Sequence, residues 1–277
     1  MTTPVTPPPV LPPRFGLVAA SEGFDDGVAR WQAGITWEND LCSSLGGIED
    51  ICTPDNLTVG TEECDPGSAT PFVIWQGVKR STFNSEQSAV AAALARLERY
   101  TSYMLEIEFW YGAAAITNGW QNPYLADGTA VEVMAGAIQP MLKGLAELQQ
   151  DLMAYNQTGM IHMCPRALAI FLANDSDIFT MQDGKLKDMF GNIIVAGSGY
   201  GYGEYIVYPP SDVASWMFAT GNVAVRLSEP EINVIVDQTN NDRLVIASRF
   251  AVAYFNPCVQ IAVYIDHCTM NCSAGLS

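Results

Sequence analysis

The amino-acid sequence predicts an α+β fold in which helices come first along the chain and a mostly antiparallel sheet follows. Two observations carry this prediction. The two long helical periodicities both precede Met160, and short apolar strand segments dominate after it. Runs of helices followed by runs of strands are typical of α+β proteins. The composition is that of a folded protein, because 49% of the 277 residues are apolar and only 16% are charged.

The first third of the chain is poor in regular structure. Residues 1 to 35 begin with a proline-rich stretch, which predicts an extended arm, and they lack the basic flank and apolar core of a secretory signal. From Gly34 to Arg80 the sequence contains many turn signals, with short strand candidates at TWEN and PFVIW. Such a length without helical period indicates either a projecting functional loop or regular elements that the pattern does not reveal.

Two helices are predicted next. Asn84 as N-cap and Gln87 as its capping-box partner open a helix that continues to Gly112, with a stripe at the positions Val90, Leu94, Leu97, Thr101 and Met104. A helix of over 25 residues exceeds the usual globular length and indicates a structural spine. The second helix is predicted over Val131 to Tyr155, kinked or split by Pro140, with one apolar face formed by Met134, Ile138, Leu142, Leu145, Leu148 and Leu152.

From Met160 the strand candidates are short and apolar, apart from one long example. They are MIHM, NIIVAG, EYIVY, NVAVRL, RLVIASRFAVAYF and VQIAVYI. Alternating valines in NVAVRL and VQIAVYI are typical of half-buried strands. Helical segments are predicted between them at PRALAIFLAND and at SDVASW.

The charge excludes one class of function. Thirty acidic against 13 basic residues give a net charge of -17. A chain this acidic does not bind nucleic acid through a phosphate-neutralising surface. The longest apolar run is interrupted by polar residues, so no segment reaches the ~20 residues of a membrane helix.

The seven cysteines do not form a recognisable metal site. Cys258, His267, Cys268 and Cys272 have none of the usual zinc spacings, so no metal is predicted. Without a secretory signal, reduced and buried or idle thiols are expected. Three further cysteines, Cys42, Cys52 and Cys64, share the loop-like stretch.

No catalytic constellation is present in the sequence. The stretch GSGYGYG, residues 197–203, lacks the glycine spacing of a dinucleotide-binding loop, and a strand candidate follows it in place of a helix. His162 lies in an apolar run and is interpreted as a core histidine. An enzyme that depends on Cys164 together with His162 is the alternative from another class. The chain is predicted to have no catalytic residues, no cofactor and no metal.

Four segments, taken in their order along the chain, resemble one protein family. They are GMIHMCPRALAIFLAND, KLKDMFGNIIVAGSGYGYGEYIVYPP, WMFATGNVAVRLSEPEI and NNDRLVIASRFAVAYFNPCVQIAVYID. Together they resemble the major capsid proteins of tailed phages with the Hong Kong 97 fold, especially those of phages of actinobacteria. Arg249 and Pro257 match the arginine and proline of that family's closing strand pair. The resemblance covers Met160 to Asp266 well and Ser85 to Tyr124 moderately; its specificity lies in the order of loose motifs.

The resemblance implies a division of the chain into the parts of a capsid subunit. LEIEFWYG resembles the end of the family's spine helix. The implied parts are an N-terminal arm (1–35), an extended loop (36–82), a peripheral domain with the spine helix (83–158 and 222–249), an axial domain (159–221 and 250–267) and a C-terminal tail (268–277).

The glycine run would then lie in the axial-domain loop at the centre of each ring of subunits. Our hypothesis is that Gly197, Gly199, Gly201 and Gly203 let one loop adopt different geometries in rings of five and of six, because glycine adopts such conformations at little steric cost. Tyr200 and Tyr202 would supply contact area between subunits. A surface turn without a partner is the alternative. Cys42, Cys52 and Cys64 are candidate thiols for disulfides between subunits.

The function implied by the resemblance is a shell subunit that self-assembles into pentamers and hexamers around phage double-stranded DNA. Its implied partners are other copies of itself, a separate scaffolding protein, a portal and decoration proteins; it would encase DNA without reading its sequence, and no membrane is involved. The virion is the implied location, with assembly in the host bacterial cytoplasm. The alternatives are an encapsulin-like nanocompartment shell protein and another structural component of a virion.

Overall fold

A computed structural model describes residues 13–21, 30–37, 66–82, 85–134, 137–174, 177–201 and 214–266. The helices are α1 (Leu17–Ser21), α2 (Glu86–Tyr111), α3 (Ala113–Asn118), α4 (Met141–Ala154) and α5 (Pro165–Asn174), with a 3-10 turn at Trp31–Ala33. The first eight strands are β1 (Ile35–Trp37), β2 (Gly67–Ala69), β3 (Phe72–Ser81), β4 (Val131–Glu132), β5 (Gln139–Pro140), β6 (Met160–Met163), β7 (Thr180–Gln182) and β8 (Lys185–Lys187). The others are β9 (Ile193–Ala196), β10 (Ala214–Thr220), β11 (Ala224–Leu227), β12 (Glu231–Asp237), β13 (Asp242–Tyr254) and β14 (Gln260–Asp266).

The described strands form two main sheets. In the eight-stranded sheet the order is β4-β14-β10-β6-β9-β8-β7, with β5 also paired to β14. The pairs of β6 with β9 and of β14 with β4 and β5 are parallel, and the others are antiparallel. In the four-stranded sheet, β13 pairs with β3 on one side and with β11 and β12 on the other. The predicted combination of helices with a mostly antiparallel sheet is confirmed. Strand β13 runs without a break across 249–250, where one predicted domain boundary lies.

The long helix α2 is confirmed, with corrections to its start and its buried face. It spans 26 residues and ends at Gly112, which adopts a left-handed conformation. Its N-cap is Ser85, whose side chain accepts the N–H of Ser88; Asn84 lies outside the described residues. The buried face repeats every fourth residue along Ala89, Ala93, Leu97, Thr101, Leu105 and Phe109.

Small side chains explain why the buried face of α2 differs from the predicted stripe. Ala89 and Ala93 lie fully buried between α2 and the four-stranded sheet, where larger side chains would hold the helix away. Val90 and Leu94 of the predicted stripe lie half-buried beside it, and Met104 is exposed. A helix that packs against a flat sheet at close distance uses its alanines there, so the largest side chains do not mark the centre of the contact.

The predicted helix over Val131 to Tyr155 is wrong in its first half. Helix α4 begins at Met141 with Pro140 as its N-cap, and the preceding residues form β4 and β5 at the edge of the eight-stranded sheet. Proline disfavours helix in the residue before it, so the helix starts after Pro140 and does not pass through it. Leu145, Leu148 and Leu152 are buried as predicted. Three other residues of the predicted apolar face are exposed: Met134, Ile138 and Leu142.

Two further predictions change. The second half of SDVASW belongs to strand β10, because Ala214, Ser215 and Trp216 pair with β14; residues 211–213 lie outside the described residues. The part of the predicted arm that the structure describes is packed against the body, since Leu17 is fully buried and the N–H of Ala196 donates to the carbonyl of Phe15 at 2.7 Å. The strand candidate EYIVY lies outside the described residues.

Two large apolar cores and one small cluster (Ile35, Ala69 and Val252) hold the described parts together. The first lies between α2 and both main sheets, and includes Leu97, Phe109, Trp110 and Phe218. The second lies between the eight-stranded sheet and helices α4 and α5, and includes Leu148, Phe171 and Ile261. The end of α2 therefore lies on one face of the eight-stranded sheet, with α4 and α5 on the other. Among the helices described, none is long and apolar enough to cross a membrane.

Candidate functional site: the glycine run and its junction with helix α2

The glycine run follows strand β9 and passes directly over helix α2. A Cβ atom on Gly199 would lie 2.7 Å from the backbone nitrogen of Ile107 and 2.7 Å from the carbonyl oxygen of Tyr103. A Cβ atom on Gly197 would lie 2.8 Å from the ring of Tyr200. These distances are shorter than any real Cβ contact, so glycine is required at both positions for close approach of the chain to the helix and to the ring.

Glu106 connects this run to the N-terminal segment. Its Oε1 accepts the N–H of Leu17 at 3.0 Å, and its Oε2 accepts the hydroxyl of Ser198 at 2.8 Å and the N–H of Gly199 at 3.1 Å. Gly16 also approaches closely, because a Cβ there would lie 2.6 Å from Oε1. Three segments distant in sequence therefore meet at one carboxylate, which we name the Glu106 junction (Gly16, Leu17, Glu106, Ser198 and Gly199).

The electrostatics of the junction are those of a buried carboxylate held by neutral donors. Glu106 is fully buried. Burial raises the pKa of Glu106, and the hydrogen bonds from Gly199, Leu17 and Ser198 oppose this shift. A charge buried in this way costs folding free energy, and the hydrogen bonds offset part of that cost. The junction is thus a structural anchor whose stability depends on all three donors being in place.

Glu108, two residues further along α2, has a separate and local role. Its carboxylate accepts the N–H groups of Ala114 at 2.6 Å and Ala115 at 2.9 Å, and so caps the first turn of α3. Carboxylates are favourable at helix N-termini because unpaired N–H groups and the helix dipole both favour negative charge there. Glu106 and Glu108 therefore bind different partners.

Tyr200 lies inside the subunit. Its ring is fully buried, 4.7 Å from the Trp110 ring between centroids. Its hydroxyl hydrogen-bonds Nδ1 of His162 at 3.1 Å, and Nε2 of His162 bonds Oγ1 of Thr220 at 3.0 Å. The prediction that Tyr200 supplies contact area between subunits is therefore wrong for this conformation, because the first core takes up the whole ring.

The proton positions in this chain of hydrogen bonds follow from counting donors. The Thr220 hydroxyl donates to the carbonyl of Gly221 at 2.8 Å, so its oxygen accepts from Nε2 of His162. Nδ1 then has no proton and accepts from the Tyr200 hydroxyl. Burial lowers the pKa of His162 to about 3, which agrees with a neutral ring. His162 is a satisfied core histidine, as the sequence predicted.

The other predicted site residues are placed as follows. Gly201 has φ +77°, a left-handed conformation that favours glycine. Five predicted interface residues lie outside the described residues, so their roles stay predictions: Tyr202, Gly203, Cys42, Cys52 and Cys64.

Cys164 contacts the Ser215 hydroxyl at 3.6 Å, while both nitrogens of His162 hydrogen-bond other residues. Cys258 is disulfide-bonded, so the expectation of reduced thiols is wrong for that residue. In the described ranges, no group of three or more acidic, histidine or cysteine side chains could hold a metal.

The sequence did not reveal the Glu106 junction. Its partners are 89 to 93 residues away in the chain, so no local pattern connects them. One signal was present: two glutamates in the otherwise apolar run LEIEFWYG. An acidic residue at a buried helix position requires partners, and it is therefore a marker of a tertiary contact.

Solved structures with the same architecture are phage and particle shells. The capsid of Ralstonia phage GP4 is 12% identical, with a TM-score of 0.56, over 95% of this chain and 94% of that one. The capsid of an empty GTA particle with C5 symmetry is 13% identical, with a TM-score of 0.59, over 96% and 94%. A Mycobacterium phage Ogopogo chain is 12% identical, with a TM-score of 0.56, over 95% and 97%.

The chain has the Hong Kong 97 capsid fold. No protein-family model and no curated protein sequence matches it. The match to Hong Kong 97 shells covers nearly the whole length of both chains, so the fold expectation from the sequence is confirmed at the level of architecture. Within this Hong Kong 97 fold, the Glu106 junction lies where the long helix meets the loop after β9.

The neutral state of His162 leads to a first prediction. A histidine whose folded pKa is depressed contributes stability that is present above its ordinary pKa of 6.5 and is lost as the pH falls towards about 3. We expect the difference in free energy of unfolding between wild type and His162→Gln to shrink by about 1.4 kcal/mol for each pH unit below about 6. Urea unfolding from pH 7 to pH 4 measures this difference, and a difference independent of pH would contradict it.

Proposed function

We propose that this protein is the major capsid protein of a tailed phage, a subunit that assembles into rings of five and six in an icosahedral shell around double-stranded DNA. The observation that carries the proposal is the match of almost the entire chain to capsid structures, at TM-scores between 0.54 and 0.59 for four of them. These neighbours point to a structural protein without catalysis. The buried histidine and the separately engaged Cys164 are consistent with that role.

Exposed apolar surface supports assembly with other copies. In β3, Ile74 and Val78 are buried against α2, whereas Val73 and Trp75 point to the opposite face and are 50% and 61% exposed. Trp75 lies opposite Ser248 of β13, and Val73 lies opposite Phe250. Large apolar side chains grouped on one exposed face mark an interaction surface more often than chance exposure does.

The proposed parts of the subunit keep their predicted bounds: arm 1–35, extended loop 36–82, peripheral domain 83–158 with 222–249, axial domain 159–221 with 250–267, and tail 268–277. In this proposal the loop that follows β9 points to the ring centre. Since Gly197, Gly199 and Tyr200 are held against the body, this loop's own contacts with neighbouring copies would come from Tyr202, Gly203 and the residues after them. A scaffolding protein, a portal and decoration proteins would be the other partners, in the virion and during assembly in the host cytoplasm.

The charge supports a container for DNA. A net charge of -17 would keep the packaged nucleic acid from adhering to the shell. The charge does not by itself distinguish a phage shell from a protein-filled compartment, so the contents of the particle must be measured.

Expression of the full chain, with and without the other phage head proteins, tests the proposal. We expect light scattering to report megadalton particles and negative-stain microscopy to show closed shells. Particles from infected cells should yield nuclease-protected double-stranded DNA. Shells filled with a second protein and free of DNA would contradict the phage function in favour of an encapsulin-like compartment. A chain that stays monomeric with all of these partners present would contradict shell formation altogether.

A further inference from the structure

A ring of more than two identical subunits requires two different surfaces on each subunit. Every copy contacts one neighbour through the first surface and the other neighbour through the second, so the two must be complementary to each other. The inference below rests on the proposed function, which requires rings of five and six. Two exposed apolar patches at opposite ends of helix α4 meet this requirement.

The first is the turn patch, formed by Met189 and Phe190 in the turn between β8 and β9, with Met153 of α4. Met189 is 83% exposed, and Phe190 and Met153 are 44% and 54% exposed. Met153 lies four residues after Gln149 on the same face of α4, and Gln149 hydrogen-bonds the turn. Met153 is therefore one helical turn from the residue that bonds this turn, and we group the three exposed side chains as one patch.

The turn that carries this patch is rigidly held. Asp188 is buried, and its Oδ1 accepts the N–H groups of Phe190 at 2.9 Å and Asn192 at 2.8 Å. Its Oδ2 accepts the side-chain amides of Asn192 and Gln149, both at 2.8 Å. A turn fixed by four hydrogen bonds loses little conformational freedom when a partner covers it, which favours binding.

The second is the edge patch, formed by Met134, Ile138 and Leu142. Met134 follows β4 and Ile138 precedes β5, and both strands pair with β14 at the edge of the sheet. Leu142 is in the first turn of α4. Ile138 and Leu142 are 55% and 49% exposed, and Met134 is 41% exposed.

The two patches lie at opposite ends of the eight-stranded sheet. Helix α4 starts at β14, where a Cβ on Gly144 would lie 2.6 Å from Ile265, and it reaches the turn after β8 through Gln149. Its 14 residues span ~20 Å. The order of strands in the sheet also separates the two patches, because β4 and β5 lie at one end of the sheet and β8 and β7 lie at the other. This is the placement that head-to-tail contacts require.

We propose that the turn patch of each copy packs on the edge patch of the next copy, and that this contact closes the rings of the shell. Both patches are apolar, so the contact does not depend on one fixed hydrogen-bond geometry. Methionine is unbranched and adapts its shape to its surroundings. The patches contain three methionines, Met134, Met153 and Met189. Their flexibility allows the same contact to form at the slightly different angles between neighbouring subunits in rings of five and of six.

Charged substitutions test the contact. Met189→Glu and Ile138→Lys should each leave the subunit folded, because both side chains are exposed, and each should abolish rings and shells. Mixed in equal amounts, the two variants should form alternating rings of six and no rings of five. One contact between them is the wild-type apolar contact, the other pairs the introduced glutamate with the introduced lysine, and an alternating ring needs an even number of copies. Gln182→Glu places a charge on the exposed β7 edge without removing an apolar contact, and it should assemble normally.

Native mass spectrometry of the variants gives a decisive result in each case. Alternating rings of six in the mixture, together with restored rings in the double variant Met189→Glu with Ile138→Lys, support the head-to-tail contact. Normal shells from both single variants overturn it while leaving the proposed shell function intact. Loss of assembly in both single variants, with neither rings in the mixture nor rescue in the double variant, also overturns it. A wild-type chain that never assembles is the separate failure of the proposed function.

Discussion

The Gly199→Ala variant is expected to lose about 3 kcal/mol of unfolding free energy. The added methyl group would lie 2.7 Å from two backbone atoms of α2 and 2.9 Å from the Cβ atom of Glu106. Backbone atoms within a helix cannot move aside without breaking its hydrogen bonds, so the glycine run would have to move away. That movement would stretch the hydrogen bond from the Gly199 N–H to Glu106. Denaturant unfolding of the unassembled subunit measures the loss.

A matched control separates this contact from the general effect of replacing glycine. Gly184 has φ +77° and no atom within 4 Å of an added Cβ. Gly184→Ala should therefore lose only the ~1 kcal/mol of left-handed strain. If Gly199→Ala were as stable as Gly184→Ala or more so, the close approach to α2 would be refuted. The result also distinguishes this role from the hypothesis that Gly199 serves only to let the loop vary between rings, which predicts an unchanged subunit.

The Glu106→Ala variant is expected to destabilise the subunit by a similar amount, about 3 kcal/mol. The substitution leaves the N–H groups of Leu17 and Gly199 buried without their acceptor. Relief from burying a carboxylate offsets part of this loss, but the removed side chain also leaves a cavity. Because the junction connects three segments, hydrogen exchange at residues 13–21 and 197–201 should increase together.

Two companion variants sharpen this test. Glu106→Gln keeps the shape and one acceptor, so we expect a loss of about 1–2 kcal/mol. Glu229→Ala removes an exposed acid and should change the free energy of unfolding by less than about 0.5 kcal/mol. Equal stability of wild type and Glu106→Ala, or faster exchange at only one of the two segments, would show that the carboxylate does not connect them.

The elements that the sequence predicted well are those with strong local signals. The end of α2 at Gly112 follows from the left-handed conformation that glycine adopts there, and β13 and β14 follow from long runs of β-branched and aromatic residues. Helix α4 was extended too far because Met134 and Ile138 continue its apolar spacing. Pairing with β14 decided their conformation, and that pairing joins residues more than 100 positions apart.

The site was less predictable than the fold for the same physical reason. Glycines in the 197–203 run can indicate mobility, a phosphate loop or close packing, and only the position of α2 shows that Gly199 packs against a helix. Tyr200 is equally ambiguous, since tyrosine is common at interfaces and also in cores where its hydroxyl has a partner. Its partner, His162, lies 38 residues away. Buried polar groups are specified by tertiary contacts, which a single sequence does not display.

Electron cryomicroscopy of the assembled full-length protein tests the shell function most directly. We expect a closed shell in which this chain occupies both five-membered and six-membered rings, with residues 202–213 nearest each ring axis and Tyr200 still buried against Trp110. The contradicting result is a sample that contains only monomers, or only filaments without five-membered rings, although the other head proteins are present. That result would show that this chain is not the subunit of an icosahedral capsid.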